Sequence, residues 1–292
     1  MYTQIASNKR RSILLLFGFI ALVGGLDYLM SRAFGQPAAF VPILIIAVLY
    51  AAISYFFSAN IALAMSGAKE VAKADAPELY RLVENLSIAG GLPMPKVYII
   101  DDASPNAFAT GRDPEHAVVA VTSGILQTLT KTELEGVLAH ELSHVGNYDI
   151  RFMALVVALV SVVSVISDLL LRLSFWGGDD EDNGGNVVMI VLSIVGAILA
   201  PLVAMGIQFA VSRQREYLAD SSGALLTRYP EGLASALEKI AANDEPMSHA
   251  NSATAPLYIS SPLKGRSFAR LFDTHPPIEE RIRRLREMET KQ

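Results

Sequence analysis

The sequence predicts an α+β, mostly helical fold in which four transmembrane helices carry one soluble body. Three observations lead there. The 292 residues are 52% hydrophobic and only 18% charged, with a mean hydropathy of +0.37, too apolar for an ordinary soluble domain. Four long apolar windows interrupt the chain, and the segments between them alternate helical periodicity with short β-branched runs. The net charge of −5 comes without any long basic run, so nucleic acid is not an expected partner. With no cysteine present, a metal would have to be held by His, Asp or Glu.

Crossing roughly 30 Å of hydrocarbon takes about 20 apolar helical residues. The first window runs from Ile13 to Met30, with Asp27 near its far end, and the second lies within Pro37 to Met65 and has no charge. The third begins at Phe152, with Asp168 near its outer end, and the fourth runs from Asn186 to Ser212, where Pro201 predicts a kink. A cleaved signal peptide is the rival for the first window, but the stretch is long and lacks a small-residue cleavage site. Buried core helices are the rival for the third and fourth. Lys9, Arg10 and Arg11, Lys69 and Lys73, Arg151, and Arg213 and Arg215 all flank the windows on one side, which the positive-inside rule assigns to the cytoplasm. The acidic, glycine-rich "GGDDEDNGG" at 177–185 then reads as a short solvated loop on the other side.

The expected organisation is an N-terminal transmembrane hairpin (1–65), a first soluble part (66–150), a second hairpin (151–212) and a second soluble part (213–292). The two soluble parts are expected to assemble into one domain. "APELYRLVENLSIAGG" has helical spacing and ends at glycines. "PKVYIID" and "AVVAVTSGIL" read as strands, with "NAFATG" a third, short one. In "TKTELEGVLAHELSHVGN", Thr130 or Thr132 can cap a helix whose first turn suits Glu133 and Glu135.

That helix bears the chemistry. Residues at i and i+4 share a face, so His140 and His144 can offer two imidazole nitrogens to one zinc ion. Glu141 points roughly 100° away around the helix, near the ion, where a carboxylate can take a proton from an attacking water. A catalytic site needs a third ligand, and Glu216, four residues before Asp220 in "SRQREYLAD", can supply it while Asp220 accepts the outer N–H of a ligand histidine. Read alone, the same pair also fits a solvated helix face. "NAFATG", with Asn106 and Phe108, is either an edge that pairs with an extended substrate or an internal strand. His275 either caps the following helix or forms a turn with Pro276 and Pro277, or else donates to a developing oxyanion. His116 and His249 read as surface residues in loops.

Taken together, "ELYRLVENLSIAGGLPMPKVYIID", "PNAFATG", "AVVAVTSGIL", "HELSHVGNYD", "SRQREYLAD" and "THPPIEERIRRL" resemble, in order, the motifs of the HtpX-type membrane metalloproteases, relatives of the CAAX prenyl endopeptidases and of a mitochondrial inner-membrane quality-control protease. The resemblance implies a gluzincin-like zinc endopeptidase in a bacterial cytoplasmic membrane, multi-pass, with catalysis on the cytoplasmic side and membrane-protein quality control as its role. It implies one Zn²⁺ per chain on His140, His144 and Glu216, Glu141 as general base, His275 as a donor and a substrate-edge role for "NAFATG". Protein substrates, above all membrane proteins, and the lipid bilayer are the partners it implies. The acidic loop has no counterpart in that pattern. Three other readings remain at this point: a structural zinc, which would call for a fourth protein ligand; a transporter, which would call for mid-span ionisable groups; and a non-catalytic scaffold.

Overall fold

The computed structural model describes residues 40–159, 213–249, 254–263 and 276–289, together with 10, 12–18, 20, 21, 23–25 and 28. Asp27, the third window beyond residue 159, the acidic loop, the fourth window with Pro201, and His275 lie outside the described residues. Among the described residues no single helix is long and apolar enough to cross a membrane. An apolar helix runs within Ser12–Gly25. The second window forms two helices, α1 (Phe40–Phe56) and α2 (Ser58–Met65), and its apolar part is bent by 71° at Phe57. The window is therefore not one straight rod. Past the bend, Ala62 and Leu63 are buried against the soluble body, while Val41, Ile45, Ile46, Leu49, Ile53 and Phe56 of α1 stay exposed.

The sheet has four strands, β1 (Ala68–Glu70), β2 (Lys96–Ile100), β3 (Ala107–Thr110) and β4 (Val118–Thr122), in the order β1-β2-β4-β3. β2 and β4 pair in parallel, with Lys96 opposite Val118, and the outer pairs are antiparallel. Side chains alternate across it with the two-residue period of a strand: Val97, Ala107, Ala109, Val119 and Val121 join the main helical core, whereas Ile100, Phe108, Val118 and Ala120 meet α2 and residues 257–258. The strand expected through "AVVAVTSGIL" stops at Thr122. There the threonine hydroxyl accepts from the Ile125 amide and caps α4 (Ser123–Thr128), so "SGIL" is helical. β1, short and polar, gave no hydrophobic signal in the sequence.

Further helices are α3 (Pro77–Gly90), α5 (Lys131–Gly146), α6 (Arg213–Thr227), α7 (Pro230–Ala242) and α8 (Ile278–Glu289), and residues 149–159 are also helical. Gly91 ends α3 at φ 64°, the left-handed conformation that favours glycine. Helix α5 lies at the centre, packed on α3, α6, α7 and β3. Thr130, not Thr132, caps it: Glu133 N donates to Thr130 Oγ1, and Thr130 N donates back to Glu133 Oε2 at 2.7 Å, a capping box. Glu133 also accepts from Ser235 Oγ and Lys239 Nζ on α7, at 2.6 and 2.8 Å. Burial pushes its carboxyl up, but these donors outweigh burial and hold it at about 2.

Candidate active site

α5 and α6 approach each other where α6 carries a glycine. A Cβ on Gly223 would lie 2.9 Å from the His140 backbone nitrogen, so a side chain there would force the helices apart. Glu216, Asp220 and Gly223 fall at i, i+4 and i+7, on one face, and the close approach delivers the two carboxylates to the histidines.

The result is a compact cluster. One ligand atom each from His140, His144 and Glu216 lies within 4.8 Å of the others. The two Nε2 atoms are 3.2 Å apart; Glu216 Oε2 is 3.7 Å from His140 Nε2 and Oε1 is 3.6 Å from His144 Nε2. Donors about 2.0–2.1 Å from one tetrahedral ion stand roughly 3.3–3.4 Å apart; the two histidines match that spacing, and Glu216 turns one oxygen towards each of them at slightly longer distances. Charge points the same way. With both histidines neutral and the carboxylates ionised, as metal binding requires, buried Glu141, Asp149, Glu216 and Asp220 outnumber Arg215 and Arg281, an excess of negative charge that a divalent cation would neutralise in place of protons. The residues therefore fit a metal ion of zinc's size and geometry.

Both histidines are oriented from behind. His140 Nδ1 lies 2.9 Å from Asp220 Oδ1, and His144 Nδ1 lies 3.1 Å from Asp149 Oδ2, the arrangement that turns each Nε2 towards a metal. Tyr148, at φ 60°, makes the turn that brings Asp149 back. Burial lowers His140, and Asp220 only partly offsets it. Burial lowers His144 too, but Asp149, Glu216 and Glu141 outweigh it and raise the ring to about 9, because this imidazole faces three carboxylates.

Sequence reasoning assigned no role to two residues of the site. Asp149 closes "HELSHVGNYD" with no role given to it. Arg281, wholly buried, grips Asp220 with two bonds, Nε to Oδ2 at 2.9 Å and Nη2 to Oδ1 at 2.7 Å, and donates to the Ile259 carbonyl at 3.2 Å. Its signal was present: it stands on the apolar stripe of α8, between Ile278, Ile282 and Leu285 at helical spacing.

Glu141 lines the cavity beside the cluster. Burial pushes its carboxyl up to about 8, with Glu216 adding to the rise and His144 and Arg281 opposing it. Ala109 N, on the outer edge of β3, donates to Glu141 Oε2 at 2.8 Å. Asn106 and Phe108 are buried, and neither side chain lines the cavity. Asn106 Nδ2 donates to the Ser260 carbonyl at 2.9 Å, and the Phe108 ring meets Tyr258 edge-on at 4.9 Å. Ile259 N donates to the Ala107 carbonyl, so residues 258–260 cover the first half of the β3 edge and leave Ala109 at the cavity. His116 is exposed beside Asp113 and His249 is exposed, both away from the cluster.

A HExxH helix, a carboxylate brought to it from a second helix and an edge strand beside the cluster are the parts of a metallopeptidase fold. A family model described as Peptidase family M48 matches residues 73–289, and the chain belongs to that family. It is a metalloprotease. The expected resemblance holds over nearly the full length: a protease HtpX homolog of Tropheryma whipplei (strain Twist) is 53% identical over 288 residues, covering 99% of this chain and 98% of the relative. One from Ligilactobacillus salivarius (strain UCC118) is 47% identical over 295 residues, covering 99% and 100%. Among solved structures, S. mikatae Ste24p shares the fold, with a TM-score of 0.52 and 19% identity, over 98% of this chain and 67% of that one.

Proposed function

We propose that the chain is an integral-membrane zinc endopeptidase that cuts membrane-associated or misfolded membrane proteins, with its catalytic body on the cytoplasmic side of a bacterial inner membrane. The observation that carries the zinc site is the convergence of His140, His144 and Glu216, one ligand atom from each within 4.8 Å of the others. The membrane reading is supported by the uncharged, outward-facing apolar surface of α1, by the four windows and their basic flanks, and by the relatives. The scheme of two hairpins at 1–65 and 151–212, enclosing the two parts of one catalytic domain, belongs to the same reading.

A zinc ion on the three ligands would supply a Lewis acid that polarises the scissile carbonyl and acidifies the attacking water. The protein's own groups do the rest. Glu141 takes the water's proton and returns it to the leaving amine; the Ala109 amide fixes one of its oxygens and leaves the other for the proton. The substrate backbone pairs with the part of β3 at the cavity, an edge kept in register by Asn106 and Phe108 from inside the fold. His275 donates to the developing oxyanion.

Glu141→Gln tests the assignment. Peptide cleavage should all but vanish while bound zinc, measured on the same purified protein, stays at the wild-type level. Substantial cleavage at full zinc content would remove Glu141 from its role.

A further inference from the structure

Away from the metal cluster, the Ser12–Gly25 helix, α1 and the helix over residues 149–159 enclose an apolar groove of about 460 Å³, within the roughly 300–1,000 Å³ of small-molecule sites. Leu16, Val48, Ala52, Leu155 and Leu159 line it, and Arg151 is the single charged residue among its described lining residues. No carboxylate pairs with Arg151 among the described residues, whereas Lys239 holds Glu133 and Arg281 holds Asp220. Arg112, stacked on Phe56 at the same groove, lies 3.5 Å from Asp113. Arg151, Leu155 and Leu159 fall at i, i+4 and i+8 and form one stripe. Ile150 and Met153, on another side of the same helix, line the catalytic cavity.

We infer that this groove is a site for one anionic phospholipid, with an acyl chain between the helices and the phosphate on Arg151. The inference rests on the membrane reading above. Its apolar walls match a hydrocarbon chain, and a guanidinium with no carboxylate partner among the described residues matches a phosphodiester. The charge selects an anionic headgroup over a zwitterionic one. The lipid would brace the helix that carries Ile150 and Met153 into the catalytic cavity.

The test uses the full-length, zinc-loaded protein released from nanodiscs of phosphatidylcholine mixed with phosphatidylglycerol, with retained lipid identified by native mass spectrometry. Wild type should keep one phosphatidylglycerol in preference to phosphatidylcholine and melt at a higher temperature with it bound. Arg151→Gln should weaken retention by about five-fold, the effect of one cation at an anionic surface, whereas Lys69→Gln, a basic flank outside the groove, should leave it unchanged. Leu155→Trp should block the groove with Arg151 in place, and Leu16→Trp does the same from the more open wall should the first variant misfold. Equal retention of both lipids by wild type, or undiminished phosphatidylglycerol on Arg151→Gln, overturns the site. Flotation with vesicles separates the two readings: protein that floats without lipid preference loses only the site, and protein that floats with neither lipid loses the membrane reading and the site together.

Discussion

His140 and His144 stand one turn apart on α5, yet the carboxylate behind each arrives by a different route. Asp149 reaches His144 from five residues away, through the left-handed turn at Tyr148. Asp220 reaches His140 from α6, and is itself clamped by Arg281 from α8, so three helices converge on one imidazole. The first support is local and depends on one turn. The second is part of the tertiary structure, and loosening it must loosen the fold as well as the ligand.

The largest effect should follow from Arg281→Ala. Removing one partner of a buried ion pair leaves the other charge uncompensated and costs about 3–5 kcal/mol, which for a chain of this size lowers the melting temperature on the order of 10 °C. Thermal unfolding of the zinc-loaded protein checks it, and an unchanged melting point would reduce the clamp to a passive contact.

Next come the two carboxylates. Asp149→Ala and Asp220→Ala should each weaken zinc binding by about 10–100-fold, measured by competition with a chelator. Only Asp220→Ala should also lower the melting temperature, and in a double-mutant cycle it should couple to Arg281→Ala while Asp149→Ala adds independently. Equal stability losses for the two would erase the distinction between local and tertiary support.

The smallest effects lie at the start of α5, which serves both histidines alike. Thr130→Ala should cost about 1 kcal/mol without favouring either ligand. Glu133, held at about 2 against an ordinary 4.5, contributes stability that is complete above pH 4.5 and lost as the pH falls towards 2. The stability gap between wild type and Glu133→Gln should therefore close over that range of acid unfolding, and a gap that persists at the acid end would contradict it.

The same contrast explains what the sequence made legible. His140, His144 and Glu141 lie within one helical turn, and Glu216 with Asp220 within another, so fixed helical spacing brought each group out before any tertiary contact was known. β2 and β4 were legible from their β-branched and turn residues, with β3 the short strand between them. Arg281 was hidden because its partner is 61 residues away and a lone arginine on an amphipathic helix ordinarily faces water. Asp149 was hidden by a left-handed turn at a tyrosine, which no local preference announces. The bend at Phe57 carries no proline or glycine to mark it, and Thr122 could equally have continued its strand.

The Arg281 clamp also sets an order in time. Synthesis proceeds at about 5–20 residues per second, and 141 residues separate His140 from Arg281. A growing chain therefore exposes its first ligand on the order of ten seconds before the guanidinium that steadies Asp220 exists. Metal affinity is coupled to folding, so the site tightens only once translation has passed α8.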